Sequence, residues 1–267
     1  MMKNLRGIFW GGAVVALGLA ALVTGCRTGW GSKPVLLYSL YFNAPGENRY
    51  APDGAYKEAL TRLGNDFAVR VSDQPLTRES LADVRVVLIA NPNDTAHGTN
   101  RAPHHVSAAD VEALGGFVEA GGGLIVMSNQ DKHNVETADA NRLLARFGMR
   151  FENRYTDIKA LVLPRSTPII GGLKWGYYSG NLVATEAGHA ARPRELVAND
   201  LSVKPLNGPR DEAGTLLAVA EPGRGRVVVV TDSGWITDGN LKGGANAVVK
   251  VHDNWEIFRR LVAWVGR

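Results

Sequence analysis

The chain has 267 residues, 45% hydrophobic and 21% charged, with one cysteine and six histidines. Setting aside Lys3 and Arg6, 28 basic residues stand against 26 acidic ones. That balance, with no basic stripe interleaved with aromatics, argues against nucleic-acid binding, and a lone cysteine excludes an intrachain disulfide or a thiolate metal cluster.

The first 25 residues read as an export signal. Lys3 and Arg6 make a basic start, and Ile8 to Val23 are almost all apolar or small, with Gly11, Gly12 and Gly18 among them. A spanning helix needs about 20 predominantly apolar residues, so this shorter, glycine-rich run fits a secretory signal peptide. It exits through Val23-Thr24-Gly25-Cys26, which resembles the lipobox of bacterial lipoproteins. That resemblance implies a diacylglycerol on the Cys26 thiol, cleavage before it, and a fatty acyl chain such as palmitate on the new amino terminus. The alternative is an ordinary signal peptide, or an uncleaved anchor, with an incidental cysteine. The expected division is 1–25 signal peptide, 26–34 lipidated cysteine and polar linker, and 35–267 a single folded domain. Arg27 follows the cysteine where an Asp would signal inner-membrane retention in enterobacterial lipoproteins. The expected address is therefore the cell envelope, on the outer membrane or the periplasmic face of a Gram-negative host.

Strands and helices then alternate. Val35 to Phe42 is an apolar run of strand length. A helix capped by Asp53 follows, with Tyr56, Leu60 and Leu63 at helical spacing. Phe67 to Val71 and Val84 to Ala90 read as strands, the second apolar on both faces as a central parallel strand should be. Ser107 and Asp110 form a capping box for a helix over 107–120, with Val111, Leu114, Phe117 and Val118 on one face. Leu124 to Ser128 is another strand, and 138–147 another helix closed by Gly148. Residues 149–212 are rich in Pro and Gly and read as a small irregular β region. Leu216 to Ala220 and Val227 to Thr231 flank a turn as a hairpin, and Asp253 to Val265 is a closing helix. This order predicts an α/β three-layer sandwich with a mainly parallel sheet.

The segments VRVVLIANPN, ALGGFVEAGGGLIVMSN (113–129), NRLLARFGMRF (141–151), GRGRVVVVTDSGW (223–235) and DNWEIFRRLVAWV (253–265) resemble the class I glutamine amidotransferase-like, flavodoxin-like superfamily. More narrowly they are similar to an uncharacterised family, some members of which are fused to unsaturated rhamnogalacturonyl hydrolases. Enzymes of that superfamily carry a nucleophilic cysteine on a glycine-flanked turn with a later His and Glu. Here the corresponding strand end reads Met127-Ser128-Asn129-Gln130, and glutaminase chemistry, which needs the thiolate, is excluded.

In open α/β sheets ligands sit beyond the carboxyl ends of the strands. Three polar strand ends are expected to meet there: Asn91 and Asn93; Asn129, Asp131 and His133; and Asp232, Trp235 and Asp238. Amides and carboxylates beside an indole suit a sugar. The alternative is that Asn and Asp at strand ends bend turns and cap helices. Ser128 with His133 or His105 as base and Asp131 or Asp232 behind it is the enzymatic alternative, although Ser128 lacks flanking glycines. The histidines 97, 104, 105, 133, 189 and 252 show no metal-binding spacing, so neither metal nor cofactor is expected. Two readings follow. One is a non-catalytic, membrane-anchored lipoprotein that binds a glycan or an envelope protein partner. The other is a hydrolase acting on a polysaccharide fragment or ester through Ser128.

Overall fold

The computed structural model describes residues 32–43, 50–92, 104–130, 136–241 and 252–267. Lys33–Arg267 forms one compact unit. Among the described residues no helix is long and apolar enough to cross a membrane. Cys26 lies outside them, as do Asn93, Asp131 and His133.

The first half follows the predicted order closely. Of strands β1 (Val35–Ser39), β2 (Ala68–Ser72), β3 (Val84–Ala90) and β4 (Gly123–Met127), the first pair is joined by helix α1 (Lys57–Leu63) and the last pair by α2 (Ala108–Glu119), while residues 73–83 cross from β2 to β3 without a helix. β1 pairs parallel with β2 and β3, and β3 with β4. Helix α3 (Thr137–Leu144) and one 3-10 turn lead to Gly148, which takes the left-handed φ of +67° that ends the helical stretch. The Ser107 capping box is present: its Oγ accepts from the Asp110 N–H at 3.2 Å, and Asp110 Oδ2 accepts from the Ser107 N–H at 2.9 Å. Ser107→Ala is expected to lower stability by about 1 kcal/mol in urea unfolding. Asp53, by contrast, caps nothing: α1 has no cap from its own flank, and Asp238 Oδ1 accepts the Glu58 N–H at 2.8 Å instead.

The predicted three-layer sandwich with a mainly parallel sheet is wrong. The chain builds an eleven-stranded mixed sheet in the order β2-β1-β3-β4-β11-β10-β7-β5-β6, with β8 on β10 and β9 on β5. These further strands are β5 (Met149–Val162), β6 (Lys174–Tyr177), β7 (Gly180–Thr185), β8 (Arg194–Asn199), β9 (Asn207–Asp211), β10 (Gly214–Ala220) and β11 (Arg226–Val230). Four of the ten strand pairings are parallel and six antiparallel. The cause is connection length. From β5 to β11 the links are short and carry no helix, and a parallel return needs a crossover of a dozen or more residues. The stretch read as a small irregular β region is thus a continuation of the main sheet. The β10–β11 hairpin forms as expected.

The central strands of the sheet are buried on both faces. Leu36, Leu88, Ile125 and Val228 face α1 and the closing helix α5 (Asn254–Val265), packing on Leu60, Leu63, Phe258 and Leu261. Their neighbours Leu37, Val87, Leu124 and Val229 face α2 and α3, against Leu114, Val118 and Leu143. This is the period-two alternation of a strand. The two ends of the sheet path are modest: β2 is mostly exposed, and β6 has four residues.

Candidate functional site

The carboxyl ends of β3, β4 and β11 lie side by side, because Ala90 pairs with Met127 and Met127 with Val230. The residues that follow them are Asn91, Ser128 and Thr231, each fully buried. Asn91 turns the chain at φ +60°, a conformation Asn tolerates better than most side chains. Its N–H donates to Met127 O at 2.7 Å. Among the described residues its side-chain amide has no hydrogen-bond partner, and neither do the hydroxyls of Ser128 and Ser233.

Asn129 and Asp232 are fully engaged. Asn129 Nδ2 donates to Tyr50 Oη at 2.7 Å, and its Oδ1 accepts from the Ser233 N–H at 2.7 Å. Its carbonyl accepts from the Asn181 N–H at 3.0 Å. Asp232 Oδ2 accepts from the Tyr178 N–H at 2.6 Å, and its Oδ1 from the Gly234 N–H at 2.7 Å; the Trp235 N–H also donates to this carboxylate. Burial pushes the Asp232 carboxyl up to about 7, against the pull of those three N–H groups. Tyr56 Oη donates to Ser233 O at 2.7 Å. Its phenol is raised well above 10.0, first by burial and then by Tyr38, Tyr50 and Asp232. The strand ends are therefore sewn to the segments before α1 and between β6 and β7.

The expected constellation is thus only partly assembled. Asn91, Ser128, Asn129 and Asp232 do converge. Trp235 does not stand at a mouth: it is fully buried, edge-on to Trp175 at 5.6 Å and to Phe258 at 5.8 Å. Asp238 serves as the cap of α1. His105 Nδ1 stands 3.6 Å from the carboxylates of Glu136 and Asp139 at the start of α3. No hydrogen bond links Ser128 Oγ to a described histidine. Among the described residues no cluster of His, Cys, Asp or Glu could hold a metal.

Sequence reasoning missed several members of this network. Asn254, at the start of α5, grips Gly176 through both its amide atoms and donates to Trp235 O at 2.7 Å. In sequence it looks like an ordinary helix-start residue. Tyr50 and Tyr56 carry no local pattern that marks a role 70 or more residues away. A buried hydroxyl without a partner is a net cost, so Ser128→Ala is expected to leave stability unchanged or raise it by up to about 1 kcal/mol. A loss larger than that in chemical denaturation would reveal a partner for the hydroxyl.

No protein-family model and no curated protein matches the chain. Solved structures do resemble it. One described as the mmIFT52 N-terminal domain is 16% identical at a TM-score of 0.63, over 87% of this chain and 97% of its own. The cytoplasmic protein STM1381 of Salmonella typhimurium LT2 is 15% identical at 0.54, over 86% of this chain and 98% of its own. A putative ThuA-like protein of Bacteroides uniformis is 11% identical at 0.54, over 90% and 95%. At such identities the likeness is one of fold alone.

Proposed function

We propose that this is a lipid-anchored protein of the cell envelope whose domain is a non-catalytic, amidotransferase-like binding module. The observation that carries the second half is the use made of the strand-end polar groups. In an enzyme, the groups at this crevice would be held ready for substrate. Here Asn129 and Asp232 are committed to backbone partners in two segments, 178–181 and 233–235, which makes the crevice floor a fixed platform. The burial of Trp235 removes the aromatic face that a sugar ring would stack on, and so favours an envelope protein partner over a glycan. The first half rests on the lipobox-like VTGC segment and on the absence of any second cysteine.

Metabolic labelling with an alkyne palmitate tests the anchor: label is expected on the wild-type chain and none on Cys26→Ser, with the variant released from the membrane fraction. Label retained by Cys26→Ser would overturn it. A thermal-shift screen of the 27–267 fragment against pectic oligosaccharides is expected to show no shift. A saturable shift would restore the glycan reading. Hydrolysis of model esters that is abolished by Ser128→Ala would replace the whole proposal with the hydrolase reading.

A further inference from the structure

The amino-terminal edge of the parallel strands carries a set of arginines, three of which bind the carbonyls of helix ends. β1, β3, β4 and β11 all start at this edge, with Val35 opposite Val84 and Gly123 opposite Arg226. α5 ends there too, since a side chain on Gly123 would meet the Val265 carbonyl. Arg85 donates to Gly266 O at 2.7 Å and to Gly121 O at 3.1 Å. Arg226 donates to Trp264 O at 2.8 Å, with its guanidinium 5.3 Å from the indole centroid. Arg224 donates to Ala120 O at 2.8 Å. Each of these cations sits on the carbonyls that end a helix, where positive charge is favoured, and each keeps further N–H donors. Arg78 joins Arg85 on the rim of a cleft of about 420 Å³ floored by Leu81, Phe117 and Gly122.

Two of the nearby acids are matched to other cations, while Glu79 and Glu112 lie beside Arg78. Asp83 pairs with Arg70 at 2.7 Å, and Glu119 with Arg146 at 2.8 Å. Set against Glu79, Asp83, Glu112 and Glu119, these six arginines leave the edge with an excess of positive charge. The folded unit also begins here. Lys33, two residues before β1, donates to Gly64 O at 2.6 Å beside this edge. From Lys33 back to Cys26 is seven residues, which span at most about 25 Å when fully extended. A lipid on Cys26 would thus keep Lys33, just before β1, within that reach of the headgroups.

We infer that the arginine edge is a membrane-facing surface that docks on anionic phospholipid headgroups of the bilayer holding the anchor. The inference rests on the lipid-anchor reading for its geometry. The tether supplies a high local concentration, so contacts that are each weak suffice, because every basic residue near an anionic surface adds to the attraction. Arg suits the task through its forked donors, which match phosphate. Docking by this edge would turn the carboxyl ends of the strands, with Asn91 and Ser128, away from the membrane and toward a partner.

Vesicle co-sedimentation of the 33–267 unit, which lacks Cys26, tests the surface apart from the lipid. Binding is expected to phosphatidylcholine vesicles containing 30% phosphatidylglycerol, not to phosphatidylcholine alone, and is expected to fall as salt rises. Charge reversal at two exposed positions, Arg78→Glu with Arg224→Glu, is expected to lower the partition at least tenfold. Arg78→Lys with Arg224→Lys keeps the charge and is expected to retain binding, which separates electrostatics from any loss of helix capping. Equal binding to both vesicle types, binding to neither at low salt, or no effect of reversal in a folded variant would overturn the inference. If the unit binds while the full chain takes up no palmitate, the surface stands and the anchor falls. If the chain is labelled but the unit does not bind, the reverse holds.

Discussion

Asp211→Ala is expected to destabilise the fold by about 3–5 kcal/mol, because it strands a buried ammonium. Lys159 lies in the interior of β5 and is fully buried. Its Nζ donates to Asp211 Oδ1 at 2.5 Å, to Asn199 Oδ1 at 2.6 Å and to Val203 O at 2.6 Å. Three acceptors for three ammonium protons is full satisfaction, and only one of them supplies charge. Burial pushes the Asp211 carboxyl up, but hydrogen bonds from Asn199 and Lys159 outweigh it and hold the group below 3.8. The folded state therefore prefers the ionised carboxylate more than the unfolded chain does. That contribution is present at neutral pH and is lost as the pH falls through the lowered folded value. Equilibrium urea unfolding of the soluble domain measures the effect. Lys159→Met combined with Asp211→Ala is expected to recover part of the loss, since the isolated charge is then gone. A double variant no better than Asp211→Ala would show that the pair adds nothing beyond its separate hydrogen bonds.

The second large effect belongs to Asp232. Both of its oxygens accept backbone N–H groups, so Asp232→Asn must point an NH₂ at a donor. Leaving one or two buried N–H groups without acceptors is expected to cost about 2–4 kcal/mol. The pH dependence has the opposite sign to that of Asp211. With its folded value pushed up to about 7, the native state holds this proton more tightly than the unfolded chain does. Its contribution to stability thus falls as the pH rises from about 4 to about 7 and is level above that. A gap of that width is worth on the order of 4 kcal/mol at most. The difference in unfolding free energy between wild type and Asp232→Asn, followed from pH 4 to 8, should shrink as the pH rises. A difference that grows with pH would mean the three N–H donors outweigh burial and the carboxyl is ionised throughout.

These two residues also show where the sequence could be read and where it could not. The parallel half was legible because its strands are unbroken apolar runs and its helices carry local signals, above all the Ser107–Asp110 box. The second half was not, because β5 does not look like a strand of a large sheet. Its sequence MRFENRYTDIKALV places Thr156, Asp157 and Lys159 inside; the Lys159 partners Asn199 and Asp211 lie 40 and 52 residues away, and Asp157 accepts from the Arg210 N–H, 53 residues away. Polar residues satisfied only by distant polar residues break the hydrophobic alternation that a strand is recognised by. The same limit acted at the site. That Asn91, Asn129 and Asp232 meet follows from strand order, which the pattern suggested. Whether they face a ligand or the backbone depends on hydrogen-bond geometry, which no spacing encodes. Trp235 is the clearest instance: an indole after a strand end reads as exposed, yet here Trp175 and Phe258 enclose it.

Under the lipid tether proposed above, the way the sheet ends would acquire a meaning. Molecules confined to a plane meet one another far more often than in solution, and an open strand edge is a template for pairing with a second chain. At one end of the path, β2 presents only five residues, with Arg70 in its middle held to Asp83. At the other, β6 stops after four, with exposed Lys174 leading it. Short edges bearing charge are poor seeds for strand addition. On the proposed tether, the two ends of the sheet path would therefore resist edge-to-edge pairing between copies.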